Sequence, residues 1–226
     1  MITLQNLSKT YHSAEVAVEA LKSVNLEIKK GQFVTLAGPS GSGKSTLLHL
    51  LGALDYPSGG KIFIQDQDLG ALNKNQLAEF RLRKVGFVFQ AYNLISVLSA
   101  YENVEYILLL QGVDAKTRKE KAIHLLERVG LQDYINTRPV HMSGGQQQRV
   151  AVARAIAANP EIVLADEPTA NLDSKTGEAL IDLFRELADS FQMTFVLASH
   201  DPMVMQKTKR LVRLKDGEIV EDSQLA

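Results

Sequence analysis

The stretch from Phe33 to Leu51 constrains this chain more than any other. Phe33-Val34-Thr35-Leu36-Ala37 is an apolar run without alternation, the pattern of a strand buried on both faces. Gly38-Pro39-Ser40-Gly41-Ser42-Gly43-Lys44-Ser45 follows and matches Gly-x-x-x-x-Gly-Lys-Ser/Thr, a loop whose backbone amides cradle phosphates. Ser45 to Leu51 reads as a helix, stopped by Asp55-Tyr56-Pro57-Ser58-Gly59-Gly60. Strand, glycine loop and helix stand in the order that phosphate binding requires.

The rest of the chain extends this unit. Met1-Ile2-Thr3-Leu4-Gln5-Asn6 alternates, as do Val24, Leu26 and Ile28 with their polar neighbours, so both segments read as half-buried strands. Lys61 to Gln65 is a further short strand, and Val85 to Gln90 a buried one. From about Ala91 to Arg138 strand signals fade, and segments such as Ala115 to Val129 carry an apolar helical stripe. Gly145 to Ala158 is the next helix, ended by Asn159-Pro160. Buried-strand patterns return at Ile162–Ala165 and Met193–Ser199 around an amphipathic helix from Ser174 to Ser190, and Asp216-Gly217 turns a final hairpin. The class is α/β.

Composition narrows the functions available. The 226 residues carry 25 basic against 26 acidic side chains, a formal charge of −1, so no global field recruits nucleic acid or anionic lipid. The basic clusters Arg81, Arg83, Lys84 and Lys116, Arg118, Lys119, Lys121 read as solvated helix faces. There is no cysteine, which rules out disulfides and thiolate metal sites and suits a reducing compartment. The first residues lack the basic start and apolar block of a signal peptide, and Tyr106-Ile107-Leu108-Leu109-Leu110 is too short to span a bilayer. A soluble protein is expected, with any membrane role exercised through a partner.

Three motifs carry chemistry. In the glycine loop, Lys44 should reach the β- and γ-phosphates as a point charge and the Ser45 hydroxyl should ligate magnesium. Asp166 and Glu167 end the Ile162 strand beside that loop. Neighbouring strand residues point oppositely, so the two carboxylates are expected to divide the work: Asp166 holding magnesium, Glu167 acting as general base. Ser143 N-caps a helix opening with Gly144, Gly145 and Gln146. Paired glycines cost such a helix roughly 1 kcal/mol each, which marks a second anion-binding helix end. One phosphate loop cannot use both ends unless a second copy of the chain presents its own.

With these residues assembled, the whole chain resembles the ATPase subunit of ABC transporters. The phosphate loop, Gln90, Met142-Ser143-Gly144-Gly145-Gln146, Leu164-Ala165-Asp166-Glu167-Pro168, Asn171-Leu172-Asp173 and His200 occur in that family's order. Met142 stands where the signature usually has leucine, a conservative replacement. The resemblance implies a P-loop NTPase core of RecA-like type, with a mostly parallel sheet, an antiparallel β-subdomain and a helical insertion. All of 1–226 would be one ATPase domain, with 1–90 and 159–226 forming the core and 91–158 the helical subdomain.

It also implies ATP and Mg2+ as cofactors, and a homodimer closing head to tail around two ATP molecules. Tyr11 would stack on adenine, and Gly38, Ser40, Gly41, Ser42, Gly43, Lys44, Ser45 and Thr46 would hold the phosphates. Ser143, Gly144, Gly145 and Gln146 would bind the nucleotide of the partner copy, and Asp173 would couple the two sites. Ser45, Gln90 and Asp166 would serve the metal, while Glu167, His200, Lys44 and Gln90 would serve catalysis. An integral-membrane permease would dock near Gln90 to Glu102, holding the protein on the cytoplasmic face of the membrane. The flanks of the motifs are similar to the lipoprotein-release and macrolide-export group, whose members transmit mechanical force. A regulatory ATPase without cargo stays open. A soluble ATPase acting on DNA or ribosomes is disfavoured, because the inserts and zinc cysteines of such relatives are missing, and no nucleic-acid partner is expected.

Overall fold

The computed structural model describes residues 1–12 and 16–225. Its centre is a six-stranded sheet of order β10-β9-β3-β8-β7-β6. These strands are β3 (Phe33–Ala37), β6 (Val85–Val88), β7 (Ile162–Asp166), β8 (Thr194–Ser199), β9 (Arg210–Lys215) and β10 (Glu218–Gln224). All neighbours run parallel except β10 against β9, which the Asp216-Gly217 turn joins as a hairpin. A separate antiparallel sheet orders β1 (Ile2–His12), β2 (Ala17–Ile28), β4 (Gly59–Ile64) and β5 (Gln67–Asp68) as β2-β1-β4-β5.

Both faces of the parallel sheet are covered, as its unbroken apolar runs require. Val34, Leu36, Leu164 and Val196 pack with Leu4, Leu7 and Leu21 of the antiparallel sheet and Leu47 and Leu50 of α1 (Lys44–Leu51). The residues one step along, Phe33, Val163, Ala165, Phe195 and Leu197, point into a second core. That core is completed by α3 (Ala100–Leu110), α4 (Ala115–Arg128), α5 (Gly144–Ala157) and α6 (Ser174–Phe191). α6 alone buries Leu180, Ile181, Leu183, Phe184 and Leu187, each worth about 1.5–3 kcal/mol relative to exposure.

The structure departs from the sequence reading in several places. β1 and β2 run on to His12 and back to Ala17, well beyond the alternating segments, because the two strands pair with each other through register shifts between Leu4 and Thr10. β6 stops at Val88, so Phe89 and Gln90 belong to the loop after it. Two helices are new: α2 (Lys74–Lys84), started by an Asn73–Gln76 capping box, and α7 (Pro202–Gln206), capped by Asp201. The basic clusters are not wholly solvated faces. Arg81 donates to the Ala53 carbonyl at 2.8 Å. Arg118 bridges α4 to α3 through Glu105 at 2.9 Å, with both side chains about four-fifths buried.

Candidate nucleotide site

Because β3, β6, β7 and β8 are parallel, the loops leaving their carboxyl ends gather at one edge of the sheet, where open α/β folds place their ligands. The loop after β3 carries the glycines, that after β6 Gln90, that after β7 Glu167 and that after β8 His200. One cleft collects Tyr11, Ser40, Gly41, Gly43, Lys44, Ser45, Thr46, Gln90, Glu167 and His200.

Gly43 sits at φ 102° as the N-cap of α1, and a β-carbon there would come within 2.6 Å of the Ala20 carbonyl. Only glycine fits a position that is both left-handed and walled by backbone. Lys44 is buried, and its Nζ donates to the carbonyls of Gly38 and Pro39 at 2.7 and 2.9 Å. The Ser45 hydroxyl donates to Asp166 Oδ1 at 2.9 Å. Two hard oxygen donors, a hydroxyl and a carboxylate, thus meet beside the phosphate loop. Among the described residues no cluster of three or more His, Cys, Asp or Glu side chains forms a dedicated metal cage. A pair of oxygens completed by phosphate and water suits magnesium, which keeps much of its hydration and rarely takes an all-protein cage.

Asp166 is the last residue of β7, and Glu167 turns away at φ 44°. The two carboxylates therefore diverge through a left-handed residue, not through strand alternation as the sequence suggested. The Glu167 amide donates to the Ala198 carbonyl at 2.9 Å, fixing the turn. Glu167 Oε1 then lies 2.8 Å from His200 Nδ1 and 4.0 Å from Lys44 Nζ. His200 is an exposed group aimed at the cleft, not a core histidine. Gln90 is exposed, and its carbonyl accepts a bond from Asn171 Nδ2 at 2.9 Å, which ties the loop after β6 to the loop after β7.

Ser143, Gly144, Gly145, Gln146 and Asp173 do not line this cleft. Ser143 caps α5 in a capping box with Gln146, as its position suggested. The glycines have a reason the sequence did not show: a β-carbon on Gly144 would meet Tyr92 Oη at 2.8 Å, and one on Gly145 would meet Thr176 Cγ2 at 2.6 Å. Thr176 also donates its hydroxyl to Asp173 at 2.6 Å, so one threonine joins the signature helix to the Asp173 loop. These bonds from Thr176 hold the Asp173 carboxyl below the usual carboxylate range. Tyr11, 40% exposed at the far side of the cleft, donates to Asp55 at 3.0 Å. Partial burial, then Asp55, push its hydroxyl above the ordinary tyrosine value.

Sequence reasoning missed the wall built by Glu19, Ala20 and Lys22 of β2 and by the Asp216-Gly217 turn. That turn was legible as a hairpin. Its role here comes from packing: the Gly217 amide donates to the Ser42 carbonyl, and the Lys22 amide to the Gly217 carbonyl.

Fold and cleft together define a P-loop nucleotide hydrolase with an added antiparallel sheet. The ABC transporter family model matches residues 21–170. The chain belongs to that family and is its ATP-binding, ATP-hydrolysing unit. It is 49% identical to an ABC transporter ATP-binding protein of Thermotoga maritima, over 97% of this chain and 93% of the relative. It is 45% identical to MJ0796 of Methanocaldococcus jannaschii, over 100% and 97% of the two chains. A solved dimeric structure of MJ0796 with ADP and Pi superposes with a TM-score of 0.92 at 44% identity, covering 100% of this chain and 99% of that one. The macrolide export ATP-binding/permease protein MacB of Brucella melitensis is 43% identical over 99% of this chain, which spans 34% of MacB.

Proposed function

We propose that two copies of this chain close head to tail around two ATP molecules, and that the cycle of closure and hydrolysis drives an integral-membrane partner. The observation that carries this reading is that Ser143, Gly144 and Gly145 stand at an accessible helix end outside their own chain's cleft. A capped helix end with small residues offers backbone amides to an anion, and the triphosphate it would serve is the one held by the second copy. MJ0796, so similar over its full length, forms a dimer with ADP and Pi.

Within each site Tyr11 takes the base and the loop from Gly38 to Thr46 takes the phosphates. Lys44, tethered to the Gly38 and Pro39 carbonyls, presents its ammonium to the β- and γ-phosphate oxygens. Ser45 and Asp166, with Gln90 beside them, would hold Mg2+, which neutralises charge on the transferring phosphoryl group. A water oxygen attacks the γ-phosphorus, the bond to the β-phosphate oxygen breaks, and Glu167 accepts the water's proton. His200, 2.8 Å from that carboxylate, orients Glu167 and the γ-phosphate. Asp173 and Thr176 relay the state of one site to the signature helix serving the other.

The partner's cytoplasmic segment docks in the groove between α2, β6 and α3, where Leu82, Phe87, Phe89, Ile95, Tyr106 and Ile107 form an apolar lining. Among the described residues no helix is long and apolar enough to cross a membrane; docking in this groove attaches the chain to its membrane partner. Similarity to MacB supports placing the chain in the macrolide-export and lipoprotein-release group. The dimer is tested by sedimentation. Glu167→Gln with ATP is expected to run as a dimer, and Ser143→Arg in the same background as a monomer. A dimer that persists with Ser143→Arg overturns the arrangement.

A further inference from the structure

The ring of Tyr11 is braced by its neighbours. β1 shifts register against β2 on both sides of Lys9, and such irregularities re-aim side chains. Lys9 turns inward and is 9% exposed. Its ammonium lies 4.8 Å from the centroid of the Tyr11 ring. The same nitrogen donates to Asp55 Oδ1 and to the Tyr56 carbonyl, both at 2.8 Å. The other oxygen of Asp55 accepts the Tyr11 hydroxyl at 3.0 Å. Lys9, Tyr11 and Asp55 thus close a ring of contacts that leaves the tyrosine little freedom.

The brace is stitched to the segment after α1. The Ser58 amide donates to the Ser8 carbonyl at 2.9 Å, and the Thr10 amide to Ser58 Oγ at 3.0 Å. Asp55 follows α1, the helix that opens on the phosphate loop. Burial pushes the Asp55 carboxyl up, but bonds from Lys9, the Tyr56 amide and Tyr11 outweigh it, and the group stays ionised below its ordinary range. Lys9 does not line the nucleotide cleft, whereas Tyr11 does. The ammonium thus touches the ring without itself forming part of the cleft wall.

We infer that Lys9, with Asp55, is a positioning residue for the nucleotide base: it fixes the Tyr11 ring as a platform and polarises it. This rests on the reading that Tyr11 takes the base. A cation near one face draws on the ring's π electrons and leaves the far face better suited to an electron-rich purine. A platform already locked in place loses less rotamer freedom when the base arrives. The effect belongs to base recognition alone, so the phosphate loop should not sense it.

Calorimetric titration of the whole chain with Mg-ATP and with Mg-tripolyphosphate, which has no base, separates the two contributions. Tyr11→Ala should weaken ATP binding about 5- to 150-fold, the range for loss of one base–aromatic stack. Lys9→Met should weaken it about three- to tenfold, leave tripolyphosphate unchanged, and add nothing in a Tyr11→Ala background. Lys9→Arg should restore ATP affinity to within about twofold of the parent, since guanidinium also stacks on aromatic faces. Should Lys9→Met not fold, Lys9→Gln keeps a donor for Asp55 without the charge, and the same comparison decides. Equal weakening toward both ligands would make Lys9 a structural residue and overturn the inference. Unchanged ATP affinity in the Lys9 variants beside a weakened Tyr11→Ala overturns it too, leaving the Tyr11 reading intact. Unchanged ATP affinity in Tyr11→Ala removes Tyr11 from base binding and the inference with it.

Discussion

Glu167 and Gly145 show how much chemistry depends on single side chains here. The Glu167 amide donates a hydrogen bond to the Ala198 carbonyl and its carboxylate faces both His200 and Lys44, so an amide side chain in its place keeps the shape of the cleft and removes the proposed base. Glu167→Gln is expected to bind ATP normally and to release phosphate about a hundred- to ten-thousand-fold more slowly, read in a phosphate-release assay; near-normal turnover removes Glu167 from the role. Gly145 makes a different demand. Alanine usually stabilises a helix position by about 1 kcal/mol over glycine, but here its methyl would press on Thr176 Cγ2 at 2.6 Å. Gly145→Ala should lower stability by about 1–3 kcal/mol in denaturant unfolding. Adding Thr176→Ser, which removes that methyl and keeps the hydroxyl for Asp173, should recover most of the loss.

At the scale of elements, what the sequence disclosed follows from where the chain was buried. β3, β7 and β8 were legible because both their faces are covered and their runs are apolar. The far halves of β1 and β2 were not, because Lys9, Thr10, Glu19 and Lys22 break the alternation and only pairing between the strands keeps them extended. α2 hid because it buries only Leu77 and Phe80; its one local signal was the Asn73–Gln76 cap. Within the site, every residue from a motif could be named, but the wall from β2 and the β9–β10 turn could not, since contact between distant segments leaves no pattern in either. β6 carries a further test. A β-carbon on Gly86 would lie 2.3 Å from the Ala155 carbonyl of α5, a backbone atom that cannot swing away. Gly86→Ala should therefore cost about 1–3 kcal/mol, seen as a lower midpoint in denaturant, and no single side-chain truncation on α5 should restore it.

Across the whole molecule, two concave surfaces stand apart. One edge of the parallel sheet gathers the groups proposed to bind and hydrolyse the nucleotide, and the groove between α2, β6 and α3, the proposed docking surface, has its own apolar lining. Arg154 of α5 reaches from that groove to the Tyr92 carbonyl at 2.8 Å, and Tyr92 Oη stands over Gly144. These contacts connect the groove to both ends of the signature helix. Tyr106, 41% exposed on the groove wall, is the place to interrupt the traffic. Tyr106→Glu should leave the thermal unfolding midpoint within about two degrees of the parent, as exposed substitutions do, while abolishing co-purification with a membrane partner from detergent extracts. Retained co-purification would place the docking surface elsewhere.

The left-handed turn at Glu167 has a longer consequence. That conformation suits glycine and burdens any other side chain by about 1–3 kcal/mol, so the carboxylate proposed as the base stands on a backbone that would be easier without it. Glu167→Gly would relieve that burden and, in the same stroke, take from the cleft the carboxylate proposed as its base.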